Sequence, residues 1–213
     1  MRKPRVLLAD DHRLVLEGFR KLLEEEFELV GTVEDGRALL TAAPTLRPDV
    51  VLLDIAMPSL NGIEAARQLK KMMPEVKIIF VTMHADSAYV TEGFRAGASG
   101  YLLKRSAAAE LAQAIQAVLR GQHYVTPLIT SDLVRALIDS PPEHQSGPAA
   151  LTPRQREVLQ LVAEGHSLKE IANTLKISVK TVEFHKAQIM EQLNLHTTAE
   201  LTKYAITHGL TSP

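Results

Sequence analysis

Three carboxylates, one hydroxyl and one ammonium close separate apolar runs of this 213-residue chain. Asp10 and Asp11 follow Val6 to Ala9, Asp54 follows Val50 to Leu53, Thr82 follows Ile78 to Val81, and Lys104 ends YLLK. Crowded carboxylates repel one another unless a hard cation neutralises them, and Mg2+ takes oxygen ligands while keeping several waters. A divalent metal at Asp10, Asp11 and Asp54 is therefore expected. Beside such a metal, Asp54 can act as an oxygen nucleophile toward a phosphoryl group and become an aspartyl phosphate. Lys104 would pair with one phosphoryl oxygen as a point charge, and Thr82 would donate a hydrogen bond to another. An ionised carboxylate needs no general base, and none is present in the set.

This chemistry requires the apolar runs to be neighbouring strands with their carboxyl ends on one rim. Five runs (Val6 to Ala9, Leu29 to Val33, Val50 to Leu53, Ile78 to Val81, Tyr101 to Leu103) alternate with helical patterns. Continuous apolar strands between helices predict a parallel sheet covered on both faces, an α/β doubly wound, flavodoxin-like domain of five strands. In such sheets ligands bind in the crevice beyond the carboxyl ends, which is where these residues fall. The expected divisions are a receiving α/β domain over residues 1–121, a connecting helix and linker over 122–150, and an all-α domain over 151–213. Thr126 to Asp139 carries helical spacing, and SPPEHQSGPAA from Ser140 has none and suits a linker.

Downstream, Thr152 with Gln155, Ser167 with Glu170 and Thr197 with Glu200 are spaced for reciprocal helix capping. Ser178 is a fourth start, and Gly165 and Gly209 stand where left-handed C-terminal caps belong. Four helices follow, the second and third separated only by about Lys176 to Ser178, a gap short enough for a helix-turn-helix. In the third, Val182, Ile189 and Leu193 share the face turned to the core. Lys180, Glu183, Phe184 and Ala187 share the other, where a phenylalanine marks a contact surface. Lys180, Thr181, His185 and Lys186 supply charge and donors suited to phosphate oxygens. Residues 151–213 hold seven Lys or Arg against six Asp or Glu, so charge alone leaves a small four-helix interaction module as an alternative.

Cysteine is absent, which excludes a disulfide framework and thiolate metal sites and leaves the cytoplasm as the expected compartment. No apolar run approaches the ~18 residues of a membrane span. The formal net charge of -1 gives no global attraction to nucleic acid or anionic membrane, so such a partner must rest on a local surface.

ADDH at 9–12, LLDIAMPSLNG at 52–62, FVTMH at 80–84 and GASGYLLKRS at 97–106 together resemble the receiver domain of two-component response regulators. The resemblance implies that Asp54 accepts phosphate from a histidine kinase. It also implies that Asp10 and Asp11 bind Mg2+ with the backbone carbonyl of Ala56, and that Thr82 and Tyr101 form the switch, Tyr101 swinging inward as Thr82 is drawn to the phosphate. Arg105 stands where many receivers have proline, which makes a cis bond after Lys104 improbable.

The stretch LTPRQREVLQLVAEGHSLKEIANTLKISVKTVEFHKAQIMEQLNLHTTAEL resembles the LuxR-type helix-turn-helix, and the two together give the NarL/FixJ architecture. That resemblance implies a phosphorylation-controlled regulator of transcription on double-stranded DNA, with residues 179–193 in the major groove. By position, Lys180, Thr181, His185 and Lys186 face phosphates and Glu183, Phe184 and Ala187 face bases. A homodimer when phosphorylated and contact with RNA polymerase are further implied partners. The expected device of control is a receiver that covers the recognition helix until Asp54 is phosphorylated. Two rivals stand beside this reading. An aspartyl-phosphate phosphatase would place a second acid two residues after the nucleophile, where this chain has Ala56, so an enzyme is not expected. A receiver serving only as a constitutive dimerisation module is the other.

Overall fold

In the computed structural model the described residues are 2–130 and 151–211. The first stretch is one sheet with helices on both faces. Strands β1 (Arg5–Ala9), β2 (Glu28–Val33), β3 (Val50–Leu53), β4 (Lys77–Thr82) and β5 (Gly100–Leu103) lie in the order β2-β1-β3-β4-β5, and a sixth, β6 (Tyr124–Val125), adds to the β5 edge. Every pairing is parallel. The sheet therefore has six strands where the apolar runs indicate five. The extra strand is two half-buried residues long, too short for any run or alternation to mark it.

Alternate residues along each strand enter different cores. Leu7, Ala9, Val51, Leu53, Ile78, Phe80, Tyr101 and Leu103 pack against α2 (Gly36–Leu46), α3 (Gly62–Met72) and α4 (Ser87–Arg95). Val6, Leu8, Val50, Leu52, Ile79, Val81 and Leu102 pack against α1 (Arg13–Leu23) and α5 (Ala107–Leu119). With both faces covered, all four residues of β3 are buried, each aliphatic side chain contributing roughly 1.5–3 kcal/mol. This is why β3 reads as an unbroken apolar run rather than an alternating one.

The chain leaves β1 for the β2 edge and returns to β3 on the other side, so a crevice opens between the carboxyl ends of β1 and β3. Register then sets the rim. Ala9 pairs with Leu53, which puts Asp10 beside Asp54. Thr82 pairs with Leu103, which puts Lys104 one residue beyond. All described peptide bonds are trans, the one after Lys104 included.

The connecting segment enters a helical turn at residues 127–130; the rest of that expected helix and the linker fall outside the described residues. The second stretch holds α6 (Pro153–Ala163), α7 (Leu168–Leu175), α8 (Val179–Leu193) and α9 (Thr198–Thr207) around their own apolar cluster. Reciprocal capping boxes form at Thr152, Ser167 and Thr197, and Ser178 caps α8 through the Thr181 N–H. Lys176, at φ 53°, ends α7 in the left-handed conformation and makes the tight turn into α8.

The two stretches meet through polar groups. Along α6, Arg156 pairs with Glu64, Glu157 with Arg37 and Gln68, and Gln160 and Glu164 reach the loop between β3 and α3. No helix among the described residues is long and apolar enough to cross a membrane.

Candidate phosphoacceptor rim and nucleic-acid face

Asp10 and Asp54 are 3% and 4% exposed, an unusual depth for carboxylates, and the ammonium of Lys104 lies 2.7 Å from an oxygen of each. Ile55 N–H donates to Asp54 Oδ1 at 2.7 Å, and His12 N–H donates to Asp10 Oδ1 at 2.9 Å. Burial pushes the Asp54 carboxyl above its ordinary range, Lys104 pulls it back, and Asp10 pushes it up again. Burial works against the charge on Lys104 too, but Asp54 and Asp10 outweigh it and its pKa is raised. Three acids against one ammonium leave the rim with an uncompensated negative charge.

The donor set suits a hard cation. Asp10, Asp11, His12 and Asp54 each offer a ligand atom, all within 4.8 Å of one another. Asp11 Oδ1 is buried and makes no hydrogen bond, although His12 Nδ1 lies 2.8 Å away. An oxygen in that position has the character of a ligand for a hard cation. Ala56 follows two residues after Asp54 in the loop leaving β3. Gly62, at the start of α3, makes that loop possible: a Cβ there would lie 1.9 Å from the Asp54 carbonyl oxygen.

Thr82 ends β4, buried, with its hydroxyl 3.4 Å from the His84 N–H. Tyr101 occupies the inward of the two positions a switch would use. It is 0% exposed and its hydroxyl donates to the His84 carbonyl at 3.0 Å, so the ring is already inside. On β5 its side chain lies in the core formed with α3 and α4, with the Phe80 ring tilted against it. Burial drives its hydroxyl far above the ordinary phenol range.

On α8, Val182 and Ile189 are buried and Leu193 half-buried, while Lys180, Glu183, Phe184 and Ala187 are exposed, Phe184 by 58%. Thr181 and His185 are half-buried, and so is Lys186, whose ammonium donates to Thr198 Oγ1 at 3.0 Å. The residues expected to face bases and those expected to face phosphates thus share one end of one helix. The receiver does not cover them. It sits on α6, because the outward face of α6 carries Arg156, Glu157 and Gln160, and its C-cap is Glu164, all of which find partners on α2, α3 and the β3–α3 loop. This corrects the expectation that the recognition helix is masked.

Several participants carry no signal in the sequence. His84 stacks on Tyr89 at 4.4 Å, and the Tyr89 hydroxyl, its pKa pushed up to about 12 by burial and Asp86, reaches Gly209. Nothing local in the sequence singles out Gln160 or Glu164. A polar residue that is buried only across a domain boundary has no local pattern to reveal it.

Residues 6–116 match the family model for the response regulator receiver domain, and residues 149–205 match that for bacterial regulatory proteins of the luxR family. The chain is 36% identical to the transcriptional regulatory protein DegU of Brevibacillus brevis, across 97% of this chain and 94% of that one. It is 36% identical to the response regulator UvrY of Escherichia coli, across 96% and 94%. Among solved structures it resembles the RcsB response regulator of Salmonella typhimurium with TM-score 0.67 and 32% identity over 97% of this chain and 98% of that one. An RcsB–DNA complex matches with TM-score 0.59 and 30% identity, over 95% and 98%. The chain belongs to the response regulators that join a receiver domain to a LuxR-type helix-turn-helix domain, a family of transcription regulators.

Proposed function

We propose that this chain is a cytoplasmic, phosphorylation-controlled DNA-binding regulator of transcription in which Asp54 is the phosphoacceptor. The observation that carries the reading is the rim itself: Asp54, Asp10 and Lys104 within 2.7 Å contacts at the β1/β3 crevice. A carboxylate oxygen of Asp54 attacks the phosphorus of a phosphohistidine on the partner kinase. The new O–P bond forms as the P–N bond breaks, and the imidazole leaves with the electron pair. Asp10, Asp11, Asp54 and the Ala56 carbonyl would hold Mg2+, which neutralises the incoming charge when bound. Lys104 transfers its pairing from the carboxylate to a phosphoryl oxygen, and the Thr82 hydroxyl donates to another. Thr82 and Tyr101 then form the switch, Thr82 drawn to the phosphoryl group and Tyr101 occupying the inward position beside it. The protein accepts the group rather than turning over a substrate, so it is a regulator and not an enzyme.

Residues 1–121 receive the phosphoryl group, 122–150 connect, and 151–213 bind double-stranded DNA. Lys180, Thr181, His185 and Lys186 meet phosphates; Glu183, Phe184 and Ala187 meet bases. The solved RcsB–DNA complexes support this use of the helical domain. A phosphorylated homodimer would read half-sites about one helical turn, ~34 Å, apart, and RNA polymerase is a further partner. Lys180→Ala should weaken binding to all duplexes alike and lower the salt slope by about one. Phe184→Ala should instead cost roughly 1–3 kcal/mol at one base position, read by competition with single-base variants of a selected site. Phosphorylation is tested on the whole chain with acetyl phosphate, by intact mass. One phosphoryl group gained with Mg2+ and none with chelator is expected; no gain in either overturns the reading.

A further inference from the structure

We propose that Thr126 is a positioning residue for phosphoryl transfer: its hydroxyl completes the carboxyl end of β5 and so fixes the backbone from which Lys104 reaches Asp54. The inference rests on the phosphoacceptor reading above. Thr126 is 0% exposed, and no step at the rim uses it. It follows β6 and opens the helical turn at residues 127–130. Its N–H donates to the Tyr101 carbonyl at 3.0 Å, and its Oγ1 accepts from the Leu103 N–H at 3.2 Å. The residue before Lys104 is thus held by a side chain from the start of the connecting segment.

The hydroxyl stands in for a missing strand residue. Val125 pairs with Tyr101 in parallel register, and a β6 that ran on would offer the Thr126 carbonyl to the Leu103 N–H. The chain turns instead, and that carbonyl accepts from the Ile129 N–H at 3.1 Å and from Thr130 Oγ1 at 3.2 Å. Leu103 is 1% exposed, so water is no substitute, and a buried N–H without a partner is strongly disfavoured. Thr126 supplies the acceptor from its side chain. Ser106 Oγ donates to the Leu103 carbonyl at 3.2 Å, so hydroxyls meet both backbone polar groups of Leu103.

Lys104 inherits what Leu103 fixes. The Lys104 N–H donates to the Thr82 carbonyl at 2.9 Å, which ties it to β4, and Thr126 ties its neighbour from the β6 side. From between those ties the ammonium reaches 2.7 Å from both Asp54 and Asp10, where a phosphoryl oxygen would arrive. A point charge has no fork to correct its aim, so its placement depends on its backbone. Ile129, 2% exposed, packs in the cluster that holds Tyr101 and Leu103, which keeps the turn after Thr126 against the receiver core. Without the hydroxyl the Leu103 N–H is unpaired, the end of β5 shifts to seek a partner, and transfer slows because small displacements of a reacting group are costly.

Wild type, Thr126→Val, Thr126→Ser, Lys104→Ala and the chain carrying both Lys104→Ala and Thr126→Val are compared as full chains, by the rate of phosphoryl uptake from acetyl phosphate with Mg2+. Valine has the shape of threonine without the acceptor, and serine keeps the acceptor. The expected result is about tenfold slower uptake in Thr126→Val and uptake close to wild type in Thr126→Ser. Adding Thr126→Val to Lys104→Ala should cost nothing further, because the first residue acts through the second. Should Thr126→Val fail to fold in a thermal melt, Thr126→Cys, a weak acceptor of similar size, takes its place. A folded Thr126→Val chain that matches wild type, a Thr126→Ser chain as slow as Thr126→Val, or a loss that recurs in full on the Lys104→Ala background overturns the assignment. A wild type that takes no phosphoryl group overturns the phosphoacceptor reading beneath it.

Discussion

Asp54→Asn will take up no phosphoryl group from acetyl phosphate under conditions that fully modify the wild type. The carboxamide is nearly isosteric and keeps an oxygen for the Ile55 N–H, which donates at 2.7 Å, so the loop retains its anchor. Its electron pair is delocalised into the amide, however, and it carries no charge with which to attack phosphorus. The substitution also removes one of three carboxylates from the cluster, weakening its hold on a divalent cation. Lys104 keeps Asp10 as a partner at 2.7 Å, so no buried ammonium is stranded and the fold survives. Intact mass after exposure to phosphodonor and Mg2+ checks this. Modification at a stoichiometry equal to wild type would move the acceptor to another residue.

Gly62→Ala will destabilise the receiver by about 3 kcal/mol or more, the range reached when backbone is forced apart in a packed core. The obstacle is main chain, not a side chain that can turn aside: the Cβ would meet the Asp54 carbonyl oxygen at 1.9 Å and the Ile55 Cα at 3.1 Å. Relief requires the end of β3 to move, and Asp54 moves with it. Urea unfolding should show the lower midpoint, and the folded fraction should phosphorylate more slowly. A Gly62→Ala chain with wild-type stability would mean that the start of α3 is not packed on β3 as described.

These two residues illustrate what the sequence discloses. Asp54 is legible because a carboxylate ending a four-residue aliphatic run contradicts the run, and because the same contradiction recurs at Asp10, Thr82 and Lys104. Parallel strands buried on both faces make such runs continuous, so β1, β3, β4 and β5 announce themselves. Capping boxes at Thr152, Ser167 and Thr197 are equally plain, since their partners lie three residues away. Long-range placement is not local and leaves no such mark. The bond from Gln160 to Asn61 spans 99 residues, and nothing around Gln160 distinguishes a position buried against another domain from one facing water. The inward position of Tyr101 was hidden for a related reason: its strand parity admits the core, but only the observed packing with Phe80 and the His84 carbonyl decides it. The masked recognition helix, expected from a flexible linker alone, gave way to the charge pairs that draw α6 to the receiver. Strand β6, at two residues, lies below the length at which any pattern exists.

The central claim is that the state of Asp54 governs DNA binding by α8. The measurement that tests it most directly is the affinity of one preparation, before and after phosphorylation, for a duplex selected from random pools, at one fixed salt concentration. The account predicts that phosphorylation tightens binding at least about tenfold in the wild type, a difference of roughly 1.4 kcal/mol, and changes nothing in Asp54→Asn. Equal affinities in both states of the wild type would contradict it and leave the receiver as a fixed dimerisation module.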